Sequence, residues 1–134
     1  MSEYVTDTHA FYRHLTGDPR LSTTARQILS EADDGQHRIW VPSIALIEMV
    51  YLVERGRLAA DAVHQVFQLL SEIDGSYAVA DLGLAIAKFL PRVPRSEVAD
   101  MPDRIIVATA LQLGLPLISR DEAIQRAAVV PIVW

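Results

Sequence analysis

The sequence predicts an α/β fold with a central, twisted, mainly parallel sheet of four to five strands that helices cover on both faces. Short apolar segments alternate along the chain with segments of helical periodicity, which is the pattern of successive βα units. The apolar segments are hydrophobic at nearly every position, as in strands that are buried on both faces. With 134 residues, of which 51% are hydrophobic, the chain suits one compact domain spanning residues 1–134.

Five short apolar segments are predicted as strands. They are Glu3 to Asp7, Arg38 to Val41, Tyr77 to Ala80, Leu117 to Ser119 and Val129 to Val133. The carboxyl ends of parallel strands meet at one edge of a sheet, and functional groups gather there. This rule singles out Asp7, which ends the first strand, and the Ser119 to Asp121 segment, which follows a later one.

Helices are predicted between these strands from apolar spacing and from helix-end signals. They are Leu21 to Ala32 with Ser22 or Thr23 as cap, Ser43 to Glu54 with Ser43 as N-cap, Ala60 to Ile73, Leu82 to Phe89, Met101 to Gly114, and Asp121 to Ala127 with Asp121 as cap. Pro91 and Pro94 break the chain into a loop from Leu90 to Ala99.

The chain is acidic, with a formal net charge of −5 and a pI near 5.2. This balance argues against a protein that coats nucleic acid through bulk positive charge, but it allows an acidic site whose bound cations reverse the local sign. The absence of cysteine excludes disulfides, thiolate zinc sites and a cysteine nucleophile. The N-terminus lacks a signal-peptide pattern, and the near-apolar run from Ile44 to Val53 is too short to span a bilayer. We therefore expect a cytoplasmic protein.

Several Asp residues stand at the ends of predicted elements, where each has two interpretations. Asp7 follows an apolar strand and can either cap the next helix or bind a metal ion. Asp100 can cap the helix whose first turn contains Asp103, and exposed backbone amides favour acids at such positions. Asp121 can likewise cap the last helix, and Ser119 is a strand-end hydroxyl. Taken singly, each position has an ordinary structural explanation.

Glu48 is harder to explain by local structure alone. It shares a predicted helix face with Ile44, Ile47, Tyr51 and Leu52. An ionised carboxylate on an apolar face is costly unless an arginine or a metal ion compensates its charge. The sequence leaves both partners open.

Taken together, Asp7, Glu48, Asp103 and Asp121 can converge at the carboxyl edge of one sheet. Three or four carboxylates in one place repel one another strongly unless cations share the site. Carboxylate oxygens are hard ligands that favour Mg²⁺ or Mn²⁺ over zinc. One or two such ions can polarise a phosphodiester, activate water and stabilise the leaving oxygen.

The sequence around each of these acids resembles one of the four acidic blocks of PIN domains. The blocks are V-T-D-T-H-A-F at Asp7, I-A-L-I-E-M-V-Y at Glu48, M-P-D-R-I-I-V-A-T-A at Asp103 and P-L-I-S-R-D-E-A-I at Asp121. Their order and the chain length are similar to those of VapC-type toxins within that family. The blocks span nearly the whole chain, and the resemblance implies a three-layer α/β/α PIN-like domain.

The resemblance implies a Mg²⁺- or Mn²⁺-dependent endoribonuclease that acts as the toxin of a type II toxin–antitoxin pair. It implies RNA hydrolysis by metal-activated water, a VapB-like antitoxin that blocks the site, and a homodimer that forms a larger assembly with the antitoxin. The implied catalytic metal ligands are Asp7, Glu48, Asp103 and Asp121, and the candidate supporting residues are Ser119, Asp100 and Arg104. Asp121 occupies the least uniform acidic position of the family.

Positive charge is carried almost entirely by arginine, with Lys88 as the only lysine. The planar guanidinium fork matches the geometry of phosphate. The candidate phosphate contacts are Arg13, Arg92, Arg95, Arg104 and Arg120, although for any single one a solvated surface position is the more common explanation.

Three other interpretations compete with the nuclease. A phosphoacceptor receiver domain needs a paired acid after the first strand and a late lysine, whereas Lys88 lies far from the last strands. A haloacid-dehalogenase-type phosphatase needs Asp-x-Asp, and His9 occupies the second place. A catalytically silent PIN-like binding domain remains as the alternative, although its loss of activity would usually show as a missing acid. The apolar helices 44–53 and 60–73 fit either core packing or a partner surface.

Overall fold

The computed structural model describes residues 1–134 as a five-stranded sheet with seven α-helices. The strands are β1 (Ser2–Thr6), β2 (His37–Pro42), β3 (Tyr77–Ala80), β4 (Leu117–Ile118) and β5 (Ile132–Val133). The helices are α1 (Thr8–Leu15), α2 (Thr23–Asp33), α3 (Ser43–Glu54), α4 (Ala60–Leu70), α5 (Leu84–Phe89), α6 (Met101–Leu113) and α7 (Glu122–Ala127). A short 3-10 helix, Leu90–Arg92, follows α5. None of the helices combines the length and the hydropathy needed to cross a membrane.

The strands are all parallel and lie in the order β3-β2-β1-β4-β5, which confirms the predicted parallel sheet. The central strand β1 pairs on both sides, because Val5 stands opposite Trp40 of β2 and Leu117 of β4. The chain runs outward from β1 to β3 and then returns past β1 to begin β4. The strand order therefore reverses between β1 and β4, and α/β folds place their sites at such a reversal.

Two hydrophobic cores hold the helices against the sheet. Leu117 belongs to the core that contains Ile106 of α6, whereas its neighbour Ile118 belongs to the core that contains Phe11 of α1 and Leu29 of α2. Successive residues of a strand point to opposite faces. Helices α1 and α2 therefore cover one face and α6 covers the other, which confirms the three-layer α/β/α arrangement.

The prediction that Ser43 caps α3 is wrong. Pro42 occupies the cap position, and no side chain there hydrogen-bonds to the helix. The Ser43 hydroxyl instead donates to the carbonyl oxygen of Ala80 at 3.4 Å and accepts from the backbone N–H of Leu82 at 2.9 Å. Helix α5 begins at Leu84, after Gly83, rather than at Leu82. Contacts between residues so far apart in sequence leave no local signal.

Other elements also differ from the predictions. Helix α1 has no counterpart among the predicted helices, and β5 begins only at Ile132 rather than at Val129. Helix α4 ends at Leu70 rather than at Ile73, and the Ser71 hydroxyl at its C-cap donates to the carbonyl oxygen of Phe67 at 2.6 Å. Ile73, predicted to extend the apolar stripe of α4, is 92% exposed.

Candidate functional site

Asp7 lies at the junction of β1 and α1, beside the reversal of strand order. Its carboxylate accepts a hydrogen bond from the backbone N–H of Ala10 at 2.8 Å, so that Asp7 is the N-cap of α1. Its own N–H donates to the carbonyl oxygen of Ile118 at 3.1 Å, which joins the end of β1 to β4. The side chain is only 6% exposed. Burial raises the pKa of Asp7, and the nearby Ser119 hydroxyl and Ala10 N–H offset part of that rise.

Glu48 projects from α3 toward the start of α1. Its Oε1 atom accepts a hydrogen bond of 2.6 Å from the hydroxyl of Thr8, the residue that follows Asp7. Partial burial raises the pKa of Glu48, the Thr8 bond lowers it, and the negative charges of Asp100 and Asp7 raise it further. From the sequence, either an arginine or a metal ion could compensate the charge of Glu48. Glu48 takes part in none of the ion pairs of the structure, so no arginine does so.

The helix face that was predicted to surround Glu48 is less buried than expected. Ile47 and Tyr51 are 52% and 55% exposed, while Ala45 and Met49 make the core-facing side of α3. Glu48 therefore lies at the border between the core and the surface. A half-buried position of this kind leaves the carboxylate accessible to a ligand.

Helix α6 brings two carboxylates to the same region. Asp100 is its N-cap and accepts a hydrogen bond of 3.1 Å from the backbone N–H of Asp103 in the first turn. Burial, followed by the negative charges of Asp100, Asp121, Glu48 and Asp7, raises the pKa of Asp103 to about 7. These charges act on Asp103 together because the structure brings the four predicted acids, and Asp100, into one neighbourhood.

Asp121 and Ser119 lie just after β4. The Asp121 carboxylate accepts from the backbone N–H of Ile124 at 2.9 Å and caps α7, as predicted. The Ser119 hydroxyl accepts from the backbone N–H of Asp121 at 3.1 Å. Ser119 is fully buried, and its hydroxyl also acts on the Asp7 carboxylate, whose pKa it lowers. It therefore holds the two strand-end acids in a fixed relation.

The acids line two neighbouring cavities. A cavity of about 280 Å³ is lined by Asp7, His9, Arg13, Asp103, Arg120 and Asp121. A second, of about 310 Å³, is lined by Thr8, His9, Glu48, Tyr51, Leu52, Arg55, Asp100 and Pro102. His9 borders both cavities, so the two adjoin each other at the carboxyl edge of the sheet, and together they are called the depression. The second cavity holds Glu48 and Asp100, and the first holds the other three acids.

The donor set of this depression fits a hard divalent cation in its chemistry. Every candidate ligand is a carboxylate or a hydroxyl, and none of the four predicted acids has a cationic partner. No three acidic or histidine side chains are as close together as the direct ligands of one metal ion would be. Mg²⁺ nevertheless usually keeps several waters and contacts only one or two carboxylates directly. The arrangement therefore fits Mg²⁺ with partly water-mediated contacts better than a fully protein-ligated ion.

The structure separates the five arginines that the sequence offered as phosphate contacts. Arg13 and Arg120 line the cavity that contains Asp7. Arg104, predicted to support the site, instead donates to the carbonyl oxygens of Val93 at 2.9 Å and Leu90 at 3.2 Å. These bonds join Arg104 to the loop before α6. Arg104 does not line either cavity. The two remaining arginines, Arg92 and Arg95, are exposed; Arg92 lies over the ring of Phe89 at 4.6 Å.

Among the residues of the depression that the sequence did not indicate, Thr8 and His9 have the most direct relation to the acids. Thr8 holds Glu48, and His9 borders both cavities. Both residues follow Asp7 directly in the sequence, and this position could have indicated them. Because Asp7 caps α1, the first residues of α1 lie at the same edge of the sheet as Asp7.

The fold and the depression together define an α/β/α domain with an acid-lined site at the reversal of its strand order. The chain belongs to the PIN domain family, whose model matches residues 4–130. It is 26% identical over 125 residues to Ribonuclease VapC22 of Mycobacterium tuberculosis, an alignment that covers 93% of this chain and 92% of the relative.

Solved structures share the same fold. VapBC2 from Rickettsia felis, bound to a DNA fragment from its promoter, matches with a TM-score of 0.71 and 15% identity, covering 98% of this chain and 97% of the other. DNA-bound VapBC from Salmonella typhimurium matches with a TM-score of 0.71 and 18% identity, covering 99% and 98%. A toxin–antitoxin complex from Klebsiella pneumoniae matches with a TM-score of 0.67 and 20% identity, covering 98% and 96%. The resemblance to PIN domains that the four acidic blocks predicted is thus confirmed.

Proposed function

We propose that this chain is a metal-dependent endoribonuclease of the VapC type and the toxin of a toxin–antitoxin pair. The observation that carries the proposal is the set of four carboxylates at the edge of the sheet, none of which has a cationic partner. Burial, and then the negative charge of neighbouring acids, raises the pKa of Asp7, Glu48 and Asp103. Membership of the PIN family and the likeness to a ribonuclease of that type support the same reaction class.

The chain's own residues divide the work of such a reaction. We propose Asp7, Glu48 and Asp103 as the residues that hold Mg²⁺ or Mn²⁺, one or two of them directly and the rest through bound water, with Asp121 acting directly or through water. The bound cation would supply Lewis acidity toward the phosphodiester and lower the pKa of a bound water.

The hydroxyl-bearing side chains have a positioning role in this proposal. Thr8 holds the Glu48 carboxylate through a bond of 2.6 Å, and Ser119 accepts the backbone N–H of Asp121. The N-termini of α1, α6 and α7 also lie at the site, because Asp7, Asp100 and Asp121 are their caps. The positive ends of helix dipoles favour the negative charge of a phosphate.

The proposed partner is a VapB-like antitoxin that covers the site. Several structures of the same fold are toxin–antitoxin complexes, which supports this assignment. Ile47 and Tyr51 are exposed apolar side chains on α3 that suit contact with another chain, and Tyr51 lines the second cavity. We further propose that the chain forms a homodimer and a larger assembly with the antitoxin.

The decisive experiment is cleavage of total cellular RNA by the purified protein in Mg²⁺, in Mn²⁺ and in EDTA. Asp7→Asn is the test variant, because Asn also caps helices well and the fold should survive. Asp34→Asn is the matched control, since Asp34 is exposed at the end of α2, at the opposite edge of the sheet.

We expect discrete fragments with 5′-phosphate ends that require the metal, persist in Asp34→Asn and vanish in Asp7→Asn. Absence of cleavage in either metal, from folded and antitoxin-free protein, would contradict the nuclease and favour a binding-only PIN domain. Cleavage that survives Asp7→Asn would contradict the assignment of the site.

A further inference from the structure

Arg13 differs from the other arginines in its surroundings. It lies on α1, roughly 9 Å beyond Asp7 along the helix axis at 1.5 Å per residue, and it lines the cavity that holds Asp7, Asp103 and Asp121. Its Nε atom is buried without a hydrogen-bond partner, and Arg13 takes part in no ion pair. A guanidinium whose charge has no partner within the protein favours an anionic ligand, such as a phosphate, in the cavity that it lines.

Arg13 also lines a second cleft, on the side away from the acids. This cleft, of about 250 Å³, lies between the end of α1 and α2 and is bordered by Arg26 as well. Arg13 lines both cavities, so its side chain lies between the acids and the cleft that Arg26 borders.

The acidic group in the cleft does not cancel its positive charge. Asp18 borders the cleft, but both of its carboxylate oxygens accept hydrogen bonds from Arg20, the shortest at 2.7 Å. His14, also on the border, is paired with Asp33 at 2.8 Å. Arg26 uses one N–H for the carbonyl oxygen of Leu21 at 3.2 Å and keeps its other donors. Arg13 and Arg26 are therefore the two cationic groups of the cleft that have no carboxylate partner.

We propose that the cleft between α1 and α2 is the path of the RNA strand, and that Arg13 binds the phosphate next to the one that is cleaved. The proposal rests on the ribonuclease function argued above. Arginine suits this place because its fork can form two parallel hydrogen bonds with one phosphate. The strand would continue toward Arg26, so Arg13 is a positioning residue that fixes the register of the substrate over the acids.

The binding test uses a fluorescein-labelled, single-stranded RNA of about twelve nucleotides with randomised sequence, since phosphate contacts carry no sequence information. Affinity is measured by anisotropy at several salt concentrations in the Asp7→Asn background, so that the RNA stays intact. We compare Arg13→Gln, Arg13→Lys and Arg26→Gln with Arg57→Gln, which removes the same charge from an exposed turn between α3 and α4.

We expect Arg13→Gln to weaken binding about tenfold and to reduce the slope of log K against log salt by about 0.7. Arg13→Lys should keep the salt slope but bind about threefold more weakly than the parent, because an ammonium cannot form the paired contact. Arg26→Gln should show a smaller loss of the same kind. In the otherwise native enzyme, Arg13→Gln should raise KM about tenfold and change kcat less than threefold.

Unchanged affinity and KM in folded Arg13→Gln would overturn the path, as would an equal loss in Arg57→Gln, which would indicate bulk charge alone. If Arg13→Gln does not fold, Arg13→Lys and Arg26→Gln still decide the question. Arg13-dependent binding by a protein that cleaves no RNA would refute the proposed nuclease while leaving the path intact. RNA cleavage by the native enzyme, together with unchanged binding and KM in Arg13→Gln and Arg26→Gln, would refute the path while leaving the proposed nuclease intact.

Discussion

The carboxylates at the two ends of the sheet have opposite surroundings. At the amino edge, Glu31 accepts from Gln27 and from His37 at 2.6 Å, and these bonds lower its pKa. Asp18, at the end of α1, has a pKa lowered to about 2 by the hydrogen bonds of Arg20. At the carboxyl edge, burial and mutual repulsion raise the pKa of Asp7, Glu48 and Asp103.

This difference separates acids that stabilise the fold from acids whose charge has no cationic partner within the protein. A carboxylate with a cation or several donors stabilises the native state as an anion, whereas a buried one without them destabilises it. Proteins keep such unfavourable clusters mainly at functional sites. The carboxyl edge therefore has the electrostatic properties of a cation site, and the amino edge has those of ordinary surface structure.

The largest expected effect is on activity at the carboxyl edge. Asp103→Asn should lower the RNA cleavage rate by about a thousandfold or more, because it would remove a proposed ligand of the cation that would stabilise the transition state. Initial rates on one mapped RNA fragment measure this, with Asp34→Asn as the control. A loss below tenfold would show that Asp103 is an ordinary first-turn acid of α6.

The next effect is on stability and should have the opposite sign. Asp103 has a folded pKa of about 7, well above that of a free carboxyl, so the native state loses stability as the pH rises from about 4 through about 7. In metal-free buffer, Asp103→Asn should therefore raise Tm by about 5 °C at pH 8 and by little at pH 5. Thermal unfolding at both values measures the gain, and an equal shift at the two would contradict its electrostatic origin.

Saturating Mn²⁺ should remove that advantage. A cation present at about a hundred times its Kd stabilises the native state by about 2.7 kcal/mol, which raises the Tm of the native protein by about 8 °C. Asp103→Asn should show less than half of this rise. Equal rises in both proteins would place the bound ion elsewhere.

A smaller effect is expected at the amino edge, where carboxylates are structural. The Tyr77 hydroxyl donates to Asp33 at 2.6 Å and lies 3.2 Å from the carbonyl oxygen of Leu29. Tyr77→Phe should lower the free energy of unfolding by about 1 kcal/mol and leave RNA cleavage unchanged. Urea unfolding combined with the cleavage assay tests both parts. A loss of activity without a loss of stability would contradict the claim that the amino edge is structural and only the carboxyl edge is functional.

The smallest effect is expected for Glu31→Gln. This residue is partly exposed and its partners are a histidine and an amide, so Tm should change by less than about 2 °C and activity should not change. A stabilisation like that of Asp103→Asn would mean that the two edges do not differ in kind.

The sequence is most informative where a local pattern meets a general rule of topology. Asp7 and Asp121 follow apolar segments, and a parallel sheet brings its strand ends together, so the sequence alone assigns both acids to one edge. The apolar strands predict the sheet in the same way. Local patterns fail where distant residues decide: Ser43 bonds to Leu82 instead of capping α3.

The same limit applies within the site. The sequence indicates that Glu48 needs a partner, but only the structure shows that the hydroxyl of Thr8, and no arginine, contacts it. Arg13 and Arg104 are alike in sequence as candidate phosphate contacts. The direction of each side chain depends on how its helix packs, which places Arg13 beside the acids and turns Arg104 toward the carbonyl oxygens of the preceding loop.

The most direct test of the central claim is a calorimetric titration of Mn²⁺ into the metal-free protein at pH 7, in two buffers of different ionisation enthalpy. Asp103 is partly protonated near this pH, so binding to the acid cluster must release protons and make the apparent enthalpy depend on the buffer. We expect the native protein and Asp34→Asn to bind Mn²⁺ with release of protons. We expect Asp7→Asn to lose Mn²⁺ binding. Equal binding by all three proteins, without a dependence on the buffer, would contradict the assignment of the carboxyl edge as the cation site.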